Sequence, residues 1–204
     1  MAQRSHREQL LEGAVKCLKT RGYARTTARD IAAAADANLA SIGYHFGSKE
    51  ALLDEAVAKL CEESVTRMGE AAFSGAADNP LARMAASWVA MLKSFQEGDG
   101  VSAVYIDAAC QSRWNPKLRK TMIAVHRRDR EAVTEMVKQA LGEDAAAAGA
   151  DPRIVASFLI AVYDGFALQW LLDPDEAPRG EELIASLGAA LTAALPNTTA
   201  EPAA

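Results

Sequence analysis

Thr27, Asn38, Ser41, Tyr44, His45 and Lys49 bring hydroxyls, an amide, a phenol, an imidazole and an ammonium into one short stretch of a 204-residue chain. Groups of this kind donate to phosphate oxygens and hydrogen-bond to base edges, so the chemistry on offer is contact with nucleic acid. The rest of the chain carries no nucleophile elbow, no metal-ligand spacing and no phosphate loop. Neither a catalytic residue nor a metal or other cofactor is expected.

Two short helical patterns must position these groups. Thr27 has the side chain of an N-cap, and Asp30, three residues on, places a carboxylate where first-turn amides and the helix dipole favour negative charge. Ile31, Ala32 and Ala35 give this helix one apolar face. Asp36, Ala37 and Asn38 break it, because Asp and Asn bond their own backbone and tolerate turn geometry. A second helix starts at about Asn38 and runs through Phe46, anchored by Ile42 and Phe46 one turn apart. Two helices around a turn of about three or four residues form the helix-turn-helix layout, whose second helix lies in the major groove. Small Ala40, Ser41 and Gly43 let that helix approach closely, Asn38 and Ser41 reach base edges, and Leu39 and Ala40 touch a thymine methyl. Arg25 and Arg29 add backbone contacts, and Ser48 caps the next helix with Glu50 near its positive end.

From Gly22 and Tyr23 through Thr26, Thr27, Asp30, Ile31, Ala32 and Ala35 to the run Tyr44, His45, Phe46, Gly47, Ser48, Lys49, Glu50 and Leu52, spacing and residue type resemble the TetR family of bacterial repressors. The resemblance covers about residues 5 to 60. Asp36 stands where the family usually has a turn glycine, and Gly43 where it often has a tyrosine that touches the DNA backbone. The resemblance implies that Thr27, Tyr44, His45 and Lys49 touch phosphates while Asn38, Leu39, Ala40 and Ser41 face the bases. It also implies nine helices, three in the reader and six in the body, and a four-helix dimer interface made by the last two helices of each subunit.

Charge is distributed in keeping with such a reader. The whole chain is acidic, at net −5, yet residues 1–50 hold eight basic residues against five acidic ones, a net +3 that leaves −8 for the other 154. A basic end on an acidic body lets phosphates orient the molecule, and each neutralised phosphate adds salt dependence. With half its residues apolar, the chain can bury a sizeable core. No apolar run near the roughly 20 residues that span a bilayer is read in the sequence, and Met1 to Leu10 lacks a signal-peptide pattern, so a cytoplasmic protein without membrane contact is expected. Cys17, Cys61 and Cys110 have no zinc or CxxC spacing; Cys17 falls on the apolar stripe of the first helix, and a thiol sensor at Cys61 or Cys110 has no local feature to depress its pKa.

Beyond residue 50 the apolar pattern keeps a period of about 3.6 with no alternating segments, so the chain reads as all-α. Ser48 to about Ala72 is one long helix. Asn79 with Pro80, Asn115 with Pro116 and Asp151 with Pro152 each pair an Asx cap with a first-turn proline and open three more helices. A further helix follows Gly98 to Gly100, and the last runs from Glu181 to Leu195. The expected organisation is a three-helix helix-turn-helix DNA-binding domain over residues 1–47, a helical ligand-binding and dimerisation domain over 48–196, and a disordered tail over 197–204.

Trp88, Met91, Phe95, Tyr105, Met122, His126 and Phe158 mix large adaptable apolar groups with a few polar tips, the composition of a small-molecule pocket. The helix from Pro152 is apolar almost all round and must be buried on two sides, one towards the pocket and one towards a partner. Val155, Leu159, Val162 and Phe166 on that helix, with Ile184, Leu187 and Leu191 on the last, are the expected dimer interface. Asp164 is either a buried hydrogen-bonded carboxylate or a ligand contact. Arg127, Arg128 and Arg130 read as a solvated face paired with Asp129 and Glu135.

The expected whole is a homodimeric repressor that sets two recognition helices in successive major grooves of a near-palindromic double-stranded operator. It releases that operator when a small, largely apolar effector binds the body. The alternatives are an all-α enzyme using His126 with Asp129 or Cys110, an architectural DNA binder without sequence preference, and a regulator that activates or requires a corepressor. Turnover, sequence preference and effector response respectively discriminate them.

Overall fold

Short-range side-chain caps fix most helix starts in the structure, a computed structural model that describes residues 5–73, 89, 93, 100–147 and 149–194. The described elements are α1 (His6–Arg21), α2 (Ala28–Ala34), α3 (Ala40–Phe46), α4 (Lys49–Phe73), α5 (Val101–Gln111), α6 (Pro116–Ala147), α7 (Pro152–Leu172) and α8 (Gly180–Ala194). These are eight of the nine helices expected, with no strand among the described residues. Of the helix expected from Pro80 only Val89 and Lys93 are described, both helical, while Trp88, Met91 and Phe95 lie outside the described residues, as does the expected tail.

Thr27 and Asp30 form a reciprocal capping box at α2, the Thr27 hydroxyl accepting from the Asp30 amide at 3.2 Å and Asp30 Oδ2 accepting from the Thr27 amide at 2.9 Å. Ser5 and Glu8 do the same at α1. Asn38 Oδ1 accepts from the Ala40 amide at 2.9 Å, Ser48 Oγ from Ala51 at 3.1 Å, Asn115 Oδ1 from Lys117 and Leu118, and Asp151 Oδ1 from Arg153 at 2.8 Å. Each cap satisfies an orphan amide and is worth about 1 kcal/mol. Between α2 and α3 the chain reverses through Asp36 at φ +48°, the left-handed conformation that Asp tolerates better than most side chains.

One apolar core joins all the early helices to the body. Leu10 and Leu18 of α1, Ile31 of α2, Leu52 and Leu53 of α4 and Leu118 of α6 are fully buried, and the same cluster takes in Ile42, Val57, Leu60, Val104, Met122 and Val125. Full burial of one such side chain contributes about 1.5–3 kcal/mol. Gly13 is where α1 meets α2, since a Cβ there would stand 2.9 Å from the Ala35 Cβ. Helix α4 belongs to both halves, packing on α1 and α3 near its start and on α5 and α6 further on.

Helix α7 departs from one expectation. It is 21 residues long with mean hydropathy 1.6 over its most apolar window, so by length and composition it could cross a membrane, contrary to the reading that no such run exists. The same helix packs along α6 and touches α5, with Ala156 and Ala167 buried. Its faces differ in exposure. Ile154, Phe158, Leu168 and Leu172 form the exposed apolar stripe, at 69, 65, 48 and 76% exposure, with Leu171 beside it. Val155, Leu159, Val162 and Phe166, expected at a dimer interface, are half-buried in the protomer. Ile106, Tyr163 and Phe166 pack around Ala167. At about 100° per residue the two sets lie roughly a quarter-turn or more apart, and a helix apolar all round gives no phase by which to choose between them. The side chains of Ile184, Leu187 and Leu191 lie outside the described residues.

Candidate nucleic-acid interface

Helix α3 is held from behind and open in front. Ile42 is buried in the core and Phe46 packs against it. The Arg7 guanidinium sits 4.8 Å over the Phe46 ring and reaches Glu55 of α4 at 2.6 Å, tying the end of α3 to α1 and α4. In front, Asn38, Leu39, Ala40, Gly43 and Tyr44 are exposed and Ser41 is half-exposed. Tyr44 is 86% exposed with its ring edge-on to His45 at 4.9 Å, so its hydroxyl projects past the scaffold. Asn38 spends its carbonyl on capping, which turns its amide N–H groups outward as the donors left for a base.

The other expected contacts are less free. The Thr27 hydroxyl donates to Asp30 Oδ2 at 2.7 Å, and with the Thr27 amide it holds the Asp30 carboxyl below its usual range. Lys49 Nζ donates to the Thr26 carbonyl at 3.1 Å and pairs with Glu50 at 3.4 Å, leaving one of its three N–H donors for a phosphate. It therefore also braces the start of α4 against the α1–α2 corner. Arg25 is exposed, with Nε donating to the Arg21 carbonyl at 2.9 Å, and Arg29 is exposed.

A second constellation lies in the body. Tyr105, Met122 and His126 line an open groove of about 480 Å³ between α5 and α6, together with Ile123, Arg127 and Arg130. Phe158, expected in the same pocket, does not line this groove and belongs to the exposed stripe of α7. Arg130 Nη2 lies 2.8 Å from His126 Nε2, and Tyr105 Oη lies 3.4 Å from Nδ1. Both ring nitrogens of His126 are thus engaged, one by Arg130 and the other by Tyr105.

Asp129 is not on the solvated arginine face expected for it. Burial, reinforced by the nearby Asp164 charge, pushes its carboxyl up to about 6. Burial also raises Asp164, against the pull of His126, and raises the Tyr105 phenol. Cys61, pushed up to about 12 by burial, is an inert thiol, whereas Cys110 is exposed.

Sequence reasoning passed over the residues that join the two halves. Tyr23, in the α1–α2 corner, donates its hydroxyl to Asp54 Oδ1 at 2.6 Å and its amide to Asp107 Oδ2 at 2.6 Å. Burial, then Asp54, keeps the Tyr23 phenol protonated, and burial raises Asp54 as well. Partners 31 and 84 residues away leave no local signal.

A small helix with an anchored back and an open polar front, carried on an all-helical body, defines a DNA-binding transcriptional regulator. Comparison with known proteins agrees. Residues 10–56 match the family described as bacterial regulatory proteins, tetR family, and residues 80–196 match the C-terminal domain of BetI-type transcriptional repressors. The chain belongs to the TetR family and is a DNA-binding transcriptional repressor. It is 24% identical over 200 residues to the nicotine-responsive repressor HdnoR of Paenarthrobacter nicotinovorans, covering 89% of this chain and 91% of that one. It is 31% identical over 113 residues to the repressor KstR2 of Mycobacterium tuberculosis, covering 55% of this chain and 56% of the other. The fold resembles the fatty acid degradation regulator FadR of Bacillus halodurans, with TM-score 0.73 and 17% identity over 96% of this chain and 98% of that one. It also resembles a regulator from Saccharomonospora viridis solved with choline, with TM-score 0.66 and 21% identity over 91% and 95%.

Proposed function

We propose that the protein represses transcription as a cytoplasmic homodimer, each subunit laying α3 into one of two successive major grooves of a near-palindromic operator. The observation that carries this is the surface of α3, where Asn38, Leu39, Ala40 and Tyr44 stand exposed on a helix locked by Ile42 and Phe46. In this reading Asn38, Leu39, Ala40 and Ser41 face bases, Tyr44, His45, Lys49, Arg25 and Arg29 face phosphates, and Thr27 contributes chiefly by fixing α2. The reader is residues 1–47 and the body 48–196. The exposed stripe of α7, led by Ile154 and Phe158, supplies the dimer contact, since monomeric proteins seldom leave so long an apolar stripe open.

Repression is relieved when a small, largely apolar effector binds the body near Tyr105, Met122 and His126. The relative HdnoR is named for nicotine and the Saccharomonospora viridis regulator was solved with choline, both nitrogen bases or cations. Asp129 and Asp164 lie near Tyr105 but outside the groove lining, and the groove wall itself carries Arg119, Arg127, Arg130 and Glu131. The test is selection of duplexes from a randomised pool, followed by binding at rising salt. Saturable binding with log affinity falling linearly in log salt, by about 0.9 per neutralised phosphate, supports the reading. Equal affinity for all duplexes would favour an architectural binder and overturn it. Nicotine and choline, each against an uncharged analogue, are the first probes for release of the selected duplex.

A further inference from the structure

Tyr23 belongs to the reader, yet groups of the body hold it at both ends. Asp107 of α5 accepts its backbone N–H at 2.6 Å, and Asp54 of α4 accepts its hydroxyl at the same distance. Asn115, at the corner between α5 and α6, donates Nδ2 to the hydroxyl oxygen at 3.4 Å. The same Asn115 caps α6 through its Oδ1, so that amide moves with the start of α6. Gly22 sits beside the knot at φ +78°, and a Cβ on it would stand 2.7 Å from Asp107 Oδ2. The carboxylate thus fills the space that any side chain at position 22 would take. From Tyr23 the chain runs directly through Thr26, whose hydroxyl donates to the Gly22 carbonyl at 2.7 Å, to the cap of α2. Two residues before Asp107 on α5 is Tyr105, which lines the effector groove.

We propose that Asp107 is a positioning residue for operator recognition: it fixes the Tyr23 amide, so the body sets the orientation of the reader through this corner as well as through the shared core, with Asn115 as the second hold. The proposal rests on the operator-binding reading above. An effector that displaces Tyr105 moves α5, and Asp107 carries the movement to the chain entering α2. The carboxylate touches no DNA and acts only through Tyr23.

Because coupling between sites is reciprocal, operator binding must be felt in the body, and this needs no knowledge of the effector. The experiment is amide hydrogen exchange of the full chain, free and saturated with a duplex selected as above, for the unsubstituted protein, Asp107→Ala and Asp107→Asn. In the unsubstituted protein the duplex slows exchange at residues 101–118 by at least about fivefold, although no DNA contact lies there. In Asp107→Ala the reader is still protected by saturating duplex while the response at 101–118 is lost. Asp107→Asn, whose amide oxygen can still accept from Tyr23, recovers much of it. A role confined to stability would speed exchange everywhere and leave the duplex-dependent difference intact. Persistence of the body response in Asp107→Ala overturns the proposal alone. If the unsubstituted protein binds no duplex saturably, the operator reading falls and takes the proposal with it.

Discussion

Individual side chains divide into those that face outward for recognition and those that hold the recognition surface in place. Tyr44 is of the first kind: exposed, with the edge of His45 as its ring contact, it can leave the fold without cost. Tyr44→Ala is expected to weaken binding to all duplexes by a similar factor with the salt slope and thermal stability unchanged, since a hydroxyl neutralises no phosphate, whereas Lys49→Ala should weaken all sequences and reduce the slope by about one phosphate. Binding isotherms at four or more salt concentrations check this. Ser41→Ala should instead alter which duplexes are preferred. Asp129, half-buried in the body, makes the stability of the fold depend on pH. Burial raises its folded pKa to about 6, so the folded chain keeps a proton that the unfolded chain releases earlier. The associated stability is complete below about pH 4 and is lost as pH rises through about 6. Asp129→Asn is therefore expected to raise the melting temperature at about pH 8 and to flatten its decline above about pH 5, as read by thermal melts across that range.

Helices here are set by their ends and oriented by a few contacts between them. Gly22 terminates α1 at a positive φ of 78° with ψ 172°, a region essentially reserved for glycine, its amide donating to Leu18, and leaves room for Asp107. Gly22→Ala meets both a strained φ and an occupied space, and is expected to destabilise the fold by about 1–3 kcal/mol. Denaturant titration would measure it, and a change below about 0.5 kcal/mol would mean that the corner is looser than its geometry implies. Caps at Thr27, Asn38, Ser48, Asn115 and Asp151 were legible because a cap and the amide it satisfies lie two or three residues apart in sequence. The phase of α7 was not: with apolar residues on every side, its sequence says only that the helix is buried, and contacts with α5 and α6 decide which side.

At the level of the whole molecule, a reader built on α1 to α3 shares its core with the body, so the two halves cannot move independently without repacking Leu10, Leu18, Ile31 and Ile42 against Leu52, Val57 and Leu118. The exposed stripe of α7 gives the molecule an apolar surface that the protomer leaves uncovered. Phe158→Lys should be tolerated by the protomer, whose fold it does not support, while abolishing the dimer in sedimentation equilibrium. Operator affinity should then fall by about 10²- to 10⁴-fold, because the second half-site is no longer bound at high effective concentration. A dimer that survives this substitution would move the interface away from this stripe.

Sequence by itself determined the all-α class, most helix boundaries, the helix-turn-helix and the family, since each follows from signals repeated within one or two turns of chain. Only the tertiary structure decided that Asp129 turns inward, that Lys49 braces the α1–α2 corner, that Phe158 faces out, and that Asp107 and Asn115 grip Tyr23 from 84 and 92 residues away. The physical reason is that a periodic apolar pattern specifies that a face is buried, whereas the partner of a polar group is chosen by how the helices finally pack, and that choice leaves no trace in local spacing.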